Sequence, residues 1–163
     1  MNANDAIRAA HAMSTTVIKS YCDDLSDAEL MQRPNSACNH LAWQLGHLIS
    51  SECALLESIC PGAAAALPEG FAAAHDKENV GNNDPSAFNT KQEYLELWDK
   101  VEAATLAALE KQSAADLDRP GPEHLRGMFP TVGHVFLLIA NHGLMHAGQF
   151  VPVRRALGKP IKI

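Results

Sequence analysis

Basic residues are scarce in this sequence and nowhere clustered. The 163 residues hold 13 Lys and Arg against 19 Asp and Glu, a formal net charge of −6, and the longest basic run is Arg154-Arg155. Nucleic-acid binding depends on a positive surface, so this composition argues against it. No apolar stretch reaches the roughly 18 residues of a membrane span, and no segment near residue 1 resembles a signal peptide. We therefore expect neither a nucleic acid nor a membrane as a partner.

Cysteine and aromatic residues are also few. The four cysteines are Cys22, Cys38, Cys53 and Cys60, and none of them forms a Cys-x-x-Cys pair. On one helix, Cys53 and Cys60 would lie roughly 10 Å apart, which is too far for a disulfide. We therefore expect reduced thiols and a cytoplasmic protein. Aromatic residues make up 6% of the chain whereas alanine is abundant, which favours helices.

Apolar residues recur at helical spacing in four segments. The pattern predicts helices over about 4–22, 39–59, 90–112 and 131–157, and no run shows the period-two alternation of a strand. The length suits one domain with a substantial core and is too short for two. We therefore predict a single all-α domain, residues 1–163, folded as an antiparallel four-helix bundle.

A long connection separates the second and third helices. Residues 60–89 contain several Gly, Pro and Asn residues, and we expect at most one turn of helix there, near 70–75. A connection of about thirty residues in a compact domain tends to be functional or loosely ordered. Both His75 and His124 fall outside the four helices, so we expect them to be solvated.

A pair of histidines in the last helix is the most informative pattern. His142 and His146 are four residues apart in an apolar stretch, so a helix stacks their imidazoles on one face. Two neutral imidazoles in this arrangement can bind a transition metal. Gln149 follows on nearly the same face and could orient a bound group, or it could hydrogen-bond to another helix.

The second helix is expected to provide a third metal ligand. His47 follows Gly46, and a glycine lets a neighbouring backbone or a ligand come close. His47, His142 and His146 would form a three-histidine site with open positions for water or substrate, as in a catalytic centre. For any one histidine alone, a capping or core hydrogen bond is the alternative interpretation.

Two further residues are candidates for a substrate pocket. Trp43 lies one turn before His47, and His11 faces inward on the first helix. Either side chain could instead be plain core. His40 and His134 would lie roughly 10 Å and 12 Å along their helices from the nearest site histidine, so neither should join the ligand set.

The sequence resembles the DinB/YfiT-like superfamily of four-helix bundles. The resemblance rests on Trp43-x-x-Gly-His47 and on His142-x-x-x-His146-x-Gly-Gln149, whose order and separation extend it over most of the chain. It implies that the three matching histidines bind one divalent metal, often nickel or zinc, and it makes a homodimer an expectation. Some relatives transfer low-molecular-weight thiols or isomerise thiol adducts, and many have no known reaction.

One position departs from the family pattern. The residue after the last histidine is often basic in the family, whereas this chain has Ala147. This difference argues against an anionic substrate held from that side.

These features leave three interpretations open. In the first, the chain is a metal-dependent transferase or hydrolase that activates a thiol or water for attack on a small molecule. In the second, it is a non-catalytic small-molecule or metal-binding bundle with a structural or vestigial metal. In the third and weakest, it is a metal-free interaction protein. An open ligand position beside a cavity favours the first, and a closed four-ligand site favours the second.

Within the first interpretation, the sequence favours a thiol as the nucleophile. Three neutral imidazoles leave the charge of a dication uncompensated, which favours an anionic fourth ligand such as a thiolate. No carboxylate can be placed beside the three histidines from the sequence, so a built-in general base is not assured. Thiol transfer is therefore preferred to hydrolysis.

Overall fold

Seven α-helices follow one another in residues 1–162, the part of the chain that the computed structural model describes. They are α1 (Ala3–Cys22), α2 (Asp27–Leu30), α3 (Leu41–Ile59), α4 (Phe71–Ala74), α5 (Lys91–Glu110), α6 (Ala114–Leu117) and α7 (Val132–Ala156), with 3₁₀ turns at Lys77–Asn79 and Pro85–Ala87. The four long helices, α1, α3, α5 and α7, confirm the predicted all-α four-helix bundle. The connection before α5 holds one turn of α-helix, as predicted, and two 3₁₀ turns that were not.

Polar side chains at the helix starts explain where the elements begin. Capping boxes, in which a side-chain oxygen accepts the third backbone N–H and an acidic side chain accepts in return, open four helices at Asn2, Ser26, Thr90 and Ser113. The first residue before α3 is His40, whose Nδ1 accepts the backbone N–H of Trp43 at 2.9 Å. His40 is thus a helix cap, in agreement with its exclusion from the ligand set.

Contacts between the long helices give their directions. Asn4 donates to the carbonyl oxygens of Leu109 and Gln112, and Lys19 pairs with Asp99, so α1 and α5 run antiparallel. Gln44 bonds to His146, and Leu55, further along α3, lines the same small cavity as the earlier Ile139, so α3 runs antiparallel to α7. The His75 ring links Gly46 to Tyr94, and the later Glu52 accepts from the later Thr105, so α3 runs parallel to α5.

The remaining neighbouring pair, α1 and α7, also runs parallel. Ser14 lies against Gly143, and the Arg154 guanidinium donates to the carbonyl oxygen of Tyr21 at 2.7 Å. Because α3 and α5 are parallel, the chain must cross the length of the bundle between them. This crossing is what the long connection does.

His75 anchors the long connection, and the expectation that it is solvated is wrong. Its side chain is buried, with Nδ1 donating to the Phe71 carbonyl oxygen at 2.7 Å and Nε2 accepting from the Tyr94 hydroxyl at 2.7 Å. The ring fills the space above Gly46, where an added Cβ would overlap it. Sequence alone did not reveal this packing, because the partners are distant in the chain. His124 is exposed, as expected.

Two further side chains hold the connection, Trp43 of α3 and Arg33 of the segment before α3. Trp43 Nε1 donates to the Asp76 carbonyl oxygen at 3.1 Å. Arg33 donates to the carbonyl oxygens of Cys38, Val80 and Asn82 at 2.7–3.2 Å. The segment is therefore fixed by hydrogen bonds rather than loosely ordered.

A polar layer divides the apolar core of the bundle into two clusters. One cluster surrounds Leu45, Ile49 and Phe150, and the other contains Leu56, Leu109 and Phe136. Between them, every long helix contributes at least one polar residue, namely His11 in α1, Glu52 in α3, Thr105 in α5 and His142 in α7. None of the helices in residues 1–162 is both long and apolar enough to cross a bilayer.

Gly46→Ala should destabilise the protein, because the new methyl group meets the buried His75 ring. Overpacking of this kind costs about 2 kcal/mol. Gly148 is the matched control, since it lies within α7 with open space around an added Cβ, and Gly148→Ala should stabilise by about 0.5–1 kcal/mol. Urea denaturation measures both changes. Equal stabilisation by the two variants would show that His75 does not depend on the glycine.

Candidate metal centre

Helices α3 and α7 bring three histidines together midway along the bundle. Each of His47, His142 and His146 offers one ring nitrogen, and the three nitrogens lie within 4.8 Å of one another. The ring centroids are 5.4, 5.4 and 4.9 Å apart. His146 is buried and the other two are half-buried, so the cluster is reachable from one side.

A glutamine on α3 fixes the orientation of His146. The Gln44 amide nitrogen donates to the Asn39 carbonyl oxygen at 3.0 Å, which leaves its Oε1 facing Nδ1 of His146 at 3.0 Å. Because Oε1 can only accept, the proton of His146 is on Nδ1 and the lone pair is on Nε2. A hydrogen bond on the far ring nitrogen is the usual support of a metal-binding histidine. Gln44 was not found from sequence.

Trp43 supports His47. Its indole stacks on the His47 ring with centroids 4.8 Å apart and planes 7° from parallel, while Nε1 is hydrogen-bonded to the long connection. The Ser51 hydroxyl lies 3.4 Å from His47 Nε2. Trp43 is buried, and its contacts are with His47 and with the Asp76 carbonyl oxygen. Its role as a pocket wall remains a prediction.

Burial keeps the three histidines neutral. Desolvation, followed by the neighbouring histidines, lowers the pKa of His146 to about 3 and that of His142 to about 4. Desolvation also lowers the pKa of His47, although a hydrogen bond to the backbone of His75 opposes it. At neutral pH the rings therefore have free lone pairs, the form that binds a metal.

His11 belongs to a separate buried cluster. Its Nε2 lies 3.1 Å from Oε1 of Glu52, and its Nδ1 makes a 3.3 Å ion pair with Oε1 of Glu102 that is not aligned as a hydrogen bond. Burial opposes a charge on His11, but the contacts with Glu102 and Glu52 outweigh it and raise the pKa to about 9. His11 is therefore an imidazolium between two carboxylates at neutral pH.

His142 lines both a small cavity and a larger surface groove. A cavity of about 10 Å³ is lined by polar groups of His11, Ser14, Glu52 and His142, together with apolar side chains. On the other side, a groove of about 380 Å³ is lined mainly by the apolar side chains of Met128, Phe129, Leu137, Leu138 and Met145, and it also reaches His142. The cavity has room for about one water molecule.

The other candidates from the sequence lie away from these contacts. Gln149 is half-buried, and within residues 1–162 no hydrogen bond joins its side chain to a triad histidine, so its role remains a prediction. His134 is exposed and its Nδ1 lies 2.8 Å from the Thr131 hydroxyl, away from the triad.

Glu52 is a functional candidate that the sequence motifs did not indicate. It interrupts the apolar stripe of Leu45, Leu48 and Leu56 on α3, and a charged residue in such a stripe is the signal that could have found it. The triad itself fits a divalent cation, because three imidazoles converge and their lowered pKa values keep them neutral, with a lone pair free on each ligating nitrogen.

Comparison with known proteins assigns the family. Residues 12–150 match the model of the DinB superfamily. The chain belongs to the DinB superfamily. A solved structure with the same fold is YfiT from Bacillus subtilis, described as a probable metal-dependent hydrolase with an unusual four-helix bundle topology. It superposes with a TM-score of 0.65 at 16% identity, covering 96% of this chain and 89% of YfiT. No protein of curated function matches the sequence.

Replacing Gln44 by Leu should weaken metal binding by about 10–100-fold, the usual effect of losing the partner of a ligating histidine. Gln149→Leu is the matched control on α7. Zinc affinity measured by competition with a chromophoric chelator separates the two. A larger loss for Gln149→Leu would make Gln149 the residue that supports the site.

The buried His11 cluster should make stability depend on pH in the alkaline range. Because the pKa of His11 rises from 6.5 to about 9 in the folded state, its contribution is complete below pH 6.5 and is lost as pH rises through 9. The free energy of unfolding should fall by up to about 3 kcal/mol over this range. Urea denaturation of the protein and of His11→Gln, which lacks this titration, provides the test. Parallel pH profiles for the two would contradict it.

Proposed function

We propose that this chain is a metal-dependent enzyme in which His47, His142 and His146 hold one divalent cation. The proposal depends on one observation, the convergence of three neutral ring nitrogens within 4.8 Å. Three protein ligands leave positions open for water or substrate, the arrangement of a catalytic rather than a structural site. When bound, the cation would supply Lewis-acid chemistry that activates water or a small thiol for attack on an electrophilic small molecule.

The residues around the triad have distinct tasks in this proposal. Gln44 holds His146 with its lone pair toward the cluster, and the Trp43 ring restricts His47 by stacking. The apolar groove beside His142 offers a place for the carbon skeleton of a substrate. Its composition favours an uncharged or weakly polar molecule, which agrees with the non-basic Ala147.

The choice between water and thiol is part of the proposal. The description of YfiT as a probable metal-dependent hydrolase supports water attack. Transfer of a low-molecular-weight thiol is supported by the family resemblance. Nickel or zinc suits three imidazole ligands. A homodimer and a cytoplasmic location complete the proposal, the second supported by the free thiols of all four cysteines.

Metal analysis of purified variants tests the centre. The protein dialysed against zinc should retain one equivalent, and His146→Ala should retain much less than one. His134→Ala removes an exposed histidine of the same helix and should retain the full equivalent. Stoichiometric zinc in the triple variant of His47, His142 and His146 to Ala would show that the assignment is wrong.

Adding small thiols to the cobalt-loaded protein, with a panel of ester and amide substrates in parallel, then distinguishes thiol transfer from hydrolysis.

A further inference from the structure

The polar layer is costly for the bundle. His11 and Glu52 are 3% and 9% exposed, and His11 carries a charge at neutral pH. Burying an ion pair stabilises a protein little, and apolar side chains of similar volume often serve as well. Two apolar clusters continue the core above and below this layer. Packing alone therefore does not account for charged residues at this level.

The two oxygens of Glu52 have different surroundings. Oε1 accepts a hydrogen bond from the Thr105 hydroxyl at 2.6 Å and lies 3.1 Å from His11 Nε2. Within residues 1–162, all of the hydrogen bonds to Glu52 end on Oε1, so Oε2 receives none. The carboxylate is thus fixed by one oxygen while the other is left free.

The side chain of Glu52 lines the small cavity whose wall also includes His142. Glu102, the other carboxylate beside His11, does not line it and is occupied by the Thr15 hydroxyl at 3.1 Å. The two glutamates differ in this respect although they share His11. Of these two glutamates, only Glu52 combines an oxygen that receives no hydrogen bond with a place on the wall of the cavity that His142 also lines.

We propose that Glu52 accepts the proton of the water that attacks the substrate, with His11 and Thr105 as positioning residues. The inference rests on the proposed function and specifies its nucleophile. One O–H bond of water breaks and its proton passes to the free Oε2 of Glu52. The oxygen's electron pair forms the bond to the electrophilic carbonyl carbon, while the π pair of the C=O bond moves to the carbonyl oxygen. When the C=O bond re-forms, the bond to the leaving group breaks, the leaving group takes the electron pair of that bond, and Glu52 returns the proton to it.

With Glu52 as the base, water is favoured over a thiol as the nucleophile. Thiol transfer was preferred because no carboxylate could be placed beside the triad from sequence. The structure places one on the cavity wall next to His142. The reaction class that follows is hydrolysis of an uncharged ester, amide or related acyl compound with an apolar part that fits the groove.

Glu52→Gln and Glu102→Gln form a matched pair, because each neutralises one carboxylate beside His11. With the zinc-loaded proteins and p-nitrophenyl acetate, we expect Glu52→Gln to lower the hydrolysis rate by about 100-fold, the size of a general-base contribution. Glu102→Gln should stay within about threefold of the unaltered protein. Zinc stoichiometry measured on the same samples should remain one in all three.

Azide binding to the cobalt-loaded proteins gives a second measurement that does not depend on turnover. A carboxylate facing the open position repels an anion, so Glu52→Gln should bind azide about tenfold more tightly and Glu102→Gln should change little. Equal effects of the two variants on rate and on azide affinity would make Glu52 a structural partner of His11 and overturn the inference. A protein that binds zinc through the triad but does not hydrolyse the ester would overturn the inference alone. Failure to bind zinc would overturn the metal centre as well.

Discussion

The packing of α3 against α7 is the constraint on which the candidate site depends. Its three histidines come from two helices that are far apart in sequence, and the Gln44–His146 hydrogen bond crosses the same interface. The close packing of the long connection on α3 depends on Gly46, because the His75 ring occupies the space that a side chain at position 46 would fill. A shift of α3 relative to α7 would separate the nitrogens and break the support of His146 in one movement. Site geometry and core packing are therefore one structural property.

The triad histidines and the nearby His11 differ in charge, although desolvation opposes a charge on each of them. In the triad, desolvation lowers the pKa values and the imidazoles stay neutral. In the polar layer, the contacts of His11 with Glu102 and Glu52 overcome desolvation and the imidazole is charged. Burial alone thus does not decide the charge of a histidine; the presence of a carboxylate does. One imidazolium between two carboxylates is net negative, which favours a dication at the triad.

The sequence predicted much of the fold because its signals are local. The four long helices follow from apolar periodicity and capping residues, and the His142–His146 pair follows from helical spacing. His47 could be added because its helix and motif were recognisable. The burial of His75 and the amide of Gln44 could not be predicted, since each depends on a partner 19 or 102 residues away. The parallel arrangement of α3 and α5 was equally hidden, because connection length permits a crossing but does not impose one.

The structure bears on whether the long connection or the α7 groove would discriminate between substrates. Residues 60–89 form a long connection, and such a connection in a compact domain tends to be functional or loosely ordered. Here the segment is held by the hydrogen bond between the buried His75 and Tyr94. Trp43 and Arg33 also donate to its backbone carbonyl oxygens. Opening it would expose a buried histidine and several carbonyl groups at once, which is unfavourable. Access through the half-buried face of His142 requires no such opening. If the centre binds a substrate as proposed, discrimination then depends on the fixed shape of the α7 groove and on Glu52, rather than on closure of a loop.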